Sequence, residues 1–482
     1  MASSETHRIN VSSEVGKLRA VLIHSPDSGL GKVVPSKAQD WLFEDIVHLN
    51  TIRAGEYDYY VKLLLYFLDE DKIKGRLAHI DAPERDRNFY KPDHPDFYRS
   101  EKVVELQVLL MDILKDAAIK SQLVASVCAI EACSYEVQCR LMEYPHEVLA
   151  RVFFSGTSDE SELIFPPVPN FIFTRDIGIV INDHILLNKP MKEARKREAL
   201  IAKYIFFHHP VFAGYRSNII ELTDTQHHFL LPNDSEAERV TLEGGDVMVV
   251  SKNHVLIGIS ERTNTEAAAQ AVKRLFEKKV VEKATVIKIP NKRDYMHIDT
   301  VFTQVKENVW VMLGDFSNER MKGLQTDEVH RVLGVPTRMA HELKIFQFRR
   351  EDPANPQLFP SLEDLLTDIS VTDFGCNPAD VHILLSGNNE FPYDAREQWT
   401  DSCNLLALGK GVVLGYDRND KTIDAFREAG FNVVNVKDLL IQLEEGHLHA
   451  SNLKDTLILM PSAELSRARG GFHCMSMPIL RD

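Results

Sequence analysis

Apolar and polar residues alternate along this chain in short blocks, and the texture of the blocks changes once. Residues 17–24 (KLRAVLIH) are apolar enough for a buried strand, closed by the turn chemistry of Ser25-Pro-Asp-Ser-Gly29. A helix is predicted near 57–68. Residues 75–100, rich in Pro, Asp and Arg, read as a loop or insertion. Residues 103–110 fit a strand or the start of a helix, because periodicity does not separate the two over so short an apolar run. Over 111–154 the pattern is helical with little turn chemistry, which predicts a helical subdomain spanning 111–160.

From Asn170 onward short β-rich runs alternate with helices. Strands are predicted at 177–185, 247–250, 255–258, 284–289, 309–314, 382–386, 412–416 and 431–436, and helices at 265–278 and 422–429. That order predicts an α/β fold. Residues 1–110 and 161–482 are assigned to one catalytic domain, with elaborations at 75–100 and 341–371. Direct comparison along the chain shows no internal repeat and no low-complexity tract.

Composition narrows the partners. A hydrophobic content of 44% in 482 residues supports a sizeable core. The net charge of −15 disfavours nucleic-acid binding, which needs concentrated positive charge. No apolar run approaches a membrane span, and the first residues lack the apolar core of a secretory signal. Six cysteines are too sparse for a disulfide scaffold, so a reducing, cytoplasmic setting is expected. Cys128, Cys133 and Cys139 cluster, but their gaps match no common zinc spacing, and buried free thiols in a helical run are expected instead.

Chemistry concentrates in a few segments. Arg469-Gly-Gly-Phe-His-Cys474 offers a thiol behind two glycines, which let backbone approach a ligand, with an arginine that could favour the thiolate. In Tyr295-Met-His-Ile-Asp-Thr300, a strand would project His297 and Asp299 from one side, with Met296 and Ile298 packing behind. A base beside a carboxylate suits proton transfer and cation binding; a hydrogen-bonded core histidine with a capping aspartate fits equally well. Thr174-Arg-Asp176 ends an apolar run, and Glu243-Gly-Gly-Asp246 reads as a turn or as a close approach to a ligand. A metal reading with His297 and Asp299 as ligands stays open, but no companion histidine pair has ligand-like spacing: His208-His209 and His227-His228 are adjacent, and such neighbours rarely converge on one ion.

Taken in order, these segments resemble arginine deiminase, within the guanidine-modifying (amidinotransferase-like) superfamily. The resemblance rests on Asn170-Phe-Ile-Phe-Thr-Arg-Asp176, Glu243-Gly-Gly-Asp246, Met296-His-Ile-Asp-Thr-Val-Phe302 and Arg469-Gly-Gly-Phe-His-Cys474. Glu14-Val-Gly-Lys-Leu18, Ile257-Gly-Ile-Ser-Glu-Arg262, Arg396-Glu-Gln-Trp399 and Tyr416-Asp-Arg-Asn419 support it. Two positions depart from the family pattern: Glu44-Asp45 stands for an Asp-Asp pair, and Ile298 for a common Leu.

The resemblance implies a pseudo-fivefold α/β propeller of ββαβ units with an inserted helical subdomain. It implies hydrolysis of free L-arginine to L-citrulline and ammonia, with Cys474 as nucleophile and no metal or organic cofactor. Asp176 and Asp299 would hold the guanidinium, His297 would move protons, and Glu243 would orient His297. Asn170, Arg195, Arg262 and Arg469 would grip the substrate carboxylate, Arg195 being preferred to Arg197 for its Ala-Arg-x-x-Glu spacing. Arg469 is thereby reassigned from the thiol to the substrate. Related chemistries remain open: amidinotransferase, methylarginine hydrolase, arginine dihydrolase, or a non-catalytic arginine sensor. A homo-oligomer, dimer or tetramer, is expected, with no nucleic-acid or membrane partner.

Overall fold

Hairpins followed by a helix and a parallel strand recur through the computed structural model, which describes residues 8–37, 45–82, 86–158, 163–224, 239–318 and 343–482. Gly178–Ile181 and His184–Leu187 pair antiparallel, turned by Asn182 at a φ of 52°. Helix Lys196–His208 then returns the chain so that Ile219–Ile220 lies parallel to the second strand. A parallel neighbour requires such a crossover, and the helix supplies it. Val247–Ser251, His254–Ile259, helix Thr265–Glu277 and Lys283–Lys288 follow the same plan. So do Phe302–Lys306, Val309–Met312, helix Leu362–Thr372 and His382–Leu385.

In a fourth sheet, Leu406–Gly409 and Val412–Tyr416 form the hairpin, helices Asp420–Glu428 and Val436–Glu444 follow, and Thr456–Met460 lies between Val412–Tyr416 and Asn432–Asn435. The fifth joins distant parts of the chain. Met477–Arg481 runs antiparallel to Leu18–Ile23, and Val103–Glu105 pairs parallel to the latter beyond helix Asp58–Leu68. Among the described residues the strands thus make five separate sheets in a mixed α/β fold.

Several expectations change. The run at 177–185 is a hairpin, because Asn182 tolerates the left-handed conformation that breaks it. Residues 103–110 are both things at once: strand Val103–Glu105 passes into helix Leu106–Ile113, whose N-terminus the Glu105 carboxylate caps. The helical stretch is four helices, ending at Ser155 before Gly156 at φ 79°. Only Cys128 of the three clustered cysteines is buried; Cys133 is half-buried and Cys139 exposed on the outer face of its helix. Within 341–371, Lys344–Arg349 and Asp352–Phe359 extend the second sheet. Glu44, His227 and His228 lie outside the described residues, as do 83–85 and 341–342. Among the described residues no helix is long and apolar enough to cross a membrane.

Candidate active site

In each of the five sheets of the described residues, the turn before one strand carries a polar or thiol side chain toward a common centre. Asp176 lies in the 3-10 turn Thr174–Ile177 ahead of Gly178–Ile181. Glu243 caps Gly244–Asp246 ahead of Val247–Ser251. His297 caps Ile298–Thr300, which carries Asp299, ahead of Phe302–Lys306. Asn404 precedes Leu406–Gly409, and Cys474 precedes Met477–Arg481. His297 and Asp299 are therefore not neighbours on a strand. His297 is extended, at φ −142° and ψ 164°, but the chain then coils tightly. Ile298 is buried as expected, whereas Met296 lines the cavity instead of packing behind it.

The cavity is walled by Cys474, His297, Asp176, Glu243, Asn170, Arg195, Arg262 and Arg469 among others. Cys474 Sγ lies 3.4 Å from Asp299 Oδ2 and accepts from Asn404 Nδ2 at 3.1 Å. The Cys474 amide donates to Asn404 Oδ1 at 3.0 Å, so one amide side chain holds both the thiol and its backbone. His297 Nε2 lies 3.2 Å from Glu243 Oε2. A Cβ at Gly245 would collide with the His297 ring, which explains why glycine occupies that turn.

Burial and charge set the resting protonation. Burial pushes the Cys474 thiol well above its usual range, and the Asp299, Asp176 and Asp401 carboxylates push it the same way, against a hydrogen bond from Asn404. Burial works against the His297 imidazolium, yet Asp176, Glu243 and Asp246 outweigh it and raise its pKa to about 10. These surroundings favour a neutral thiol and a charged imidazole at neutral pH. Alkylation of Cys474 by iodoacetamide should consequently be slow at pH 7 and rise continuously past pH ~8.5, where an ordinary cysteine titrates. A plateau below pH ~8 in rates followed by mass spectrometry would contradict this electrostatic picture.

The four residues expected at the substrate's carboxylate all line the cavity. Arg195 is already engaged: its Nη1 reaches Asp176 Oδ2 at 2.8 Å and Glu243 Oε2 at 3.3 Å, and its Nε reaches Glu198 Oε2 at 2.8 Å. Arg197 points away, to Glu131 Oε1 at 2.5 Å and the Phe153 carbonyl at 3.1 Å, so the structure separates the two arginines. Arg262 Nη1 lies 3.8 Å from Glu243 Oε2. Arg469, at a φ of 60°, stacks on Trp399 with 3.8 Å from its guanidinium carbon to the ring centroid. Its Nε and Nη1 are buried without a hydrogen bond.

Asp176, Glu243 and His297 bring ligand atoms within 4.8 Å of one another, close enough for a metal ion. The donor set fits one poorly. Arg195 bridges the two carboxylates, and a metal needs the neutral imidazole that those same carboxylates disfavour at His297.

Several contributors escaped the reading of the sequence. Asn404 has no motif signature, because a neutral amide acquires meaning only from its partner. His473 was visible only as a neighbour of Cys474, yet its Nδ1 lies 2.8 Å from Asp299 Oδ2 and its Nε2 lies 3.3 Å from Glu14 Oε2. Arg175 Nη2 donates to both Glu14 oxygens at 2.9 Å. This buried chain fixes the Asp299 carboxylate that faces the thiol. Its only advance sign was the presence of Glu14 and Arg175 in segments that resemble the family.

A thiol, an imidazole and paired carboxylates in an arginine-rich cavity are the groups of an enzyme acting on a linear amidine. The chain belongs to the arginine deiminase family, whose model matches residues 137–481. It is 28% identical over 489 residues to the arginine deiminase of Borrelia recurrentis (strain A1), covering 98% of each chain. It is 29% identical over 486 residues to that of Streptococcus sanguinis (strain SK36), covering 99% of each. Among solved structures it resembles SxtG, an amidinotransferase from Microseira wollei, at 12% identity and a TM-score of 0.46, covering 98% of this chain and 97% of that one. That structural likeness is too distant to bear on the chemistry.

Proposed function

We propose that this chain hydrolyses free L-arginine to L-citrulline and ammonia through a thiouronium formed on Cys474. The observation that carries the reading is the placement of Cys474 Sγ 3.4 Å from Asp299, in one cavity with Asp176, His297 and Glu243. A guanidinium held between Asp176 and Asp299 offsets the negative charge that keeps the thiol protonated, so substrate binding itself releases the thiol proton to solvent. The thiolate attacks the guanidinium carbon. His297, charged at rest, donates its proton to the departing nitrogen; the C–N bond breaks and ammonia leaves. Neutral His297 then takes a proton from water and the hydroxide adds to the thiouronium carbon; the C–S bond breaks, the adduct's hydroxyl proton passes to the departing sulfur, and citrulline leaves with the neutral thiol restored. Glu243, 3.2 Å from His297, orients the ring in both states and balances its charge when it is protonated.

Arg262 and Arg469, with Asn170, line the cavity and suit the carboxylate of a free amino acid, while Arg195 stands paired with Asp176 and Glu243 beside them. The names of the relatives support the same substrate. The shared plan of the five sheets supports the pseudo-fivefold propeller of ββαβ units, with the helices between Leu106 and Ser155 inserted into it. Six free cysteines support a cytoplasmic setting.

The test is product analysis. Purified protein incubated with arginine should yield citrulline and ammonia in equal amounts, unchanged by EDTA. Ornithine with doubled ammonia would establish a dihydrolase; binding without ammonia release would establish a sensor.

A further inference from the structure

A second cavity, of about 280 Å³, lies between the loop after strand Leu18–Ile23, residues 87–93 and helix His146–Ser155. None of the residues in its wall lines the catalytic cavity. Its volume approaches that of ordinary small-molecule sites.

The wall is cationic. Arg53, Arg87, Lys91 and Arg151 contribute positive charge against Asp27 and Asp93. Asp27 is already engaged by His24, 3.1 Å away, which also meets Glu105 at 2.9 Å. Asp93 lies 3.8 Å from Arg151 Nη1, and Arg87 pairs with Asp58 beneath the cavity. Over the wall itself, four cationic side chains stand against two carboxylates.

The unsatisfied groups of this wall can all donate, and one of them, a guanidinium N–H, can only donate. Ser25 and Tyr90 are 6% and 3% exposed, and neither buried hydroxyl has a hydrogen-bond partner; the same holds for Arg151 Nε. Native proteins leave few buried polar groups unpaired, so three on one cavity call for an explanation. Hydroxyls and a guanidinium left without partners ask for an acceptor, and cations beside them ask for a negative one. Nothing in the proposed arginine chemistry uses these residues. We propose that this cavity is a second ligand site, for a small oxyanion of the phosphate or carboxylate type.

Calorimetric titration of the full chain with inorganic phosphate, and separately with succinate, at constant ionic strength tests the proposal and distinguishes the two ligand types. Saturable binding of one equivalent of either anion is expected. Arg151→Gln and Lys91→Gln should each weaken it, the former about tenfold or more, as expected for a lost charge-assisted hydrogen bond. Both variants should keep wild-type turnover of arginine in anion-free buffer, which also shows that they fold. Arg469→Ala, altered in the other cavity, should bind the anion unchanged. Absence of saturable binding for both anions would overturn the proposal. So would binding indifferent to Arg151→Gln and Lys91→Gln, or binding lost in Arg469→Ala, which would place the anion among the catalytic arginines.

Discussion

Cys474→Ala is expected to abolish citrulline formation while arginine still binds. The nucleophile and its helpers act as a unit, so removing the thiol should lower kcat by a factor on the order of 10^4 or more. Binding should survive because the groups that hold the guanidinium and carboxylate are other residues, anchored without the sulfur. Asp299 is fixed by His473 at 2.8 Å, and Asp176 by Arg195 at 2.8 Å. Equilibrium dialysis with labelled arginine, alongside a citrulline assay, separates the two effects. Turnover within tenfold of wild type would rule out covalent catalysis at this residue. Loss of binding together with turnover would instead mean that the sulfur is structural, since Asn404 bonds both Sγ and the Cys474 amide.

Arg469→Ala should produce the second large effect, and it should fall on KM. The guanidinium is buried, braced on Trp399, and has Nε and Nη1 uncommitted. Truncating one partner of a desolvated charge pair costs about 2–5 kcal/mol, which is a rise in KM of roughly 30-fold to several thousand-fold. kcat should change far less, because the reacting carbon is held from the opposite end of the substrate. Agmatine, which is arginine without its carboxylate, supplies the control. The wild-type chain should discriminate strongly against it, and the variant should lose most of that discrimination by losing activity on arginine alone. Comparable wild-type kcat/KM for both compounds would show that no carboxylate clamp operates.

The amphipathic and apolar elements were readable because burial writes itself into residue type. Helix Thr265–Glu277 buries Ala267, Ala268, Ala271, Val272 and Leu275, one face at helical spacing. Strands 247–250 and 412–416 were placed almost to their observed ends. Leu406–Gly409 and Met477–Arg481 went unread, being short and the latter interrupted by Pro478. The repetition of the sheets was invisible for a related reason. Each hairpin needs only apolar residues of suitable length, so GIVI, FTQVK and LALG fill equivalent places without resembling one another.

At the site, charged groups and the thiol announced themselves, and their grouping followed the resemblance. The local geometry did not. His297 and Asp299 were expected on one strand, and reach the cavity through a tight turn instead. Arg195 was expected at the substrate's carboxylate, and stands bonded to Asp176 and Glu243. A sequence gives no warning of such an ion pair between residues so far apart along the chain.

The pairing of Met477–Arg481 with Leu18–Ile23 has a consequence for how the chain can be cut and rejoined. Glu14 and Cys474, 460 residues apart, meet through His473, so any contiguous fragment that keeps both must span residues 14–474. The order of segments is less binding than their completeness. The Asp482 amide donates to the Lys17 carbonyl at 3.1 Å, so these distant parts of the chain already lie side by side. A circular permutant that bridges them and opens elsewhere, in a loop between two sheets, preserves every hairpin and every site residue. Deletion of Met477–Arg481 instead removes the strand that seats the nucleophile.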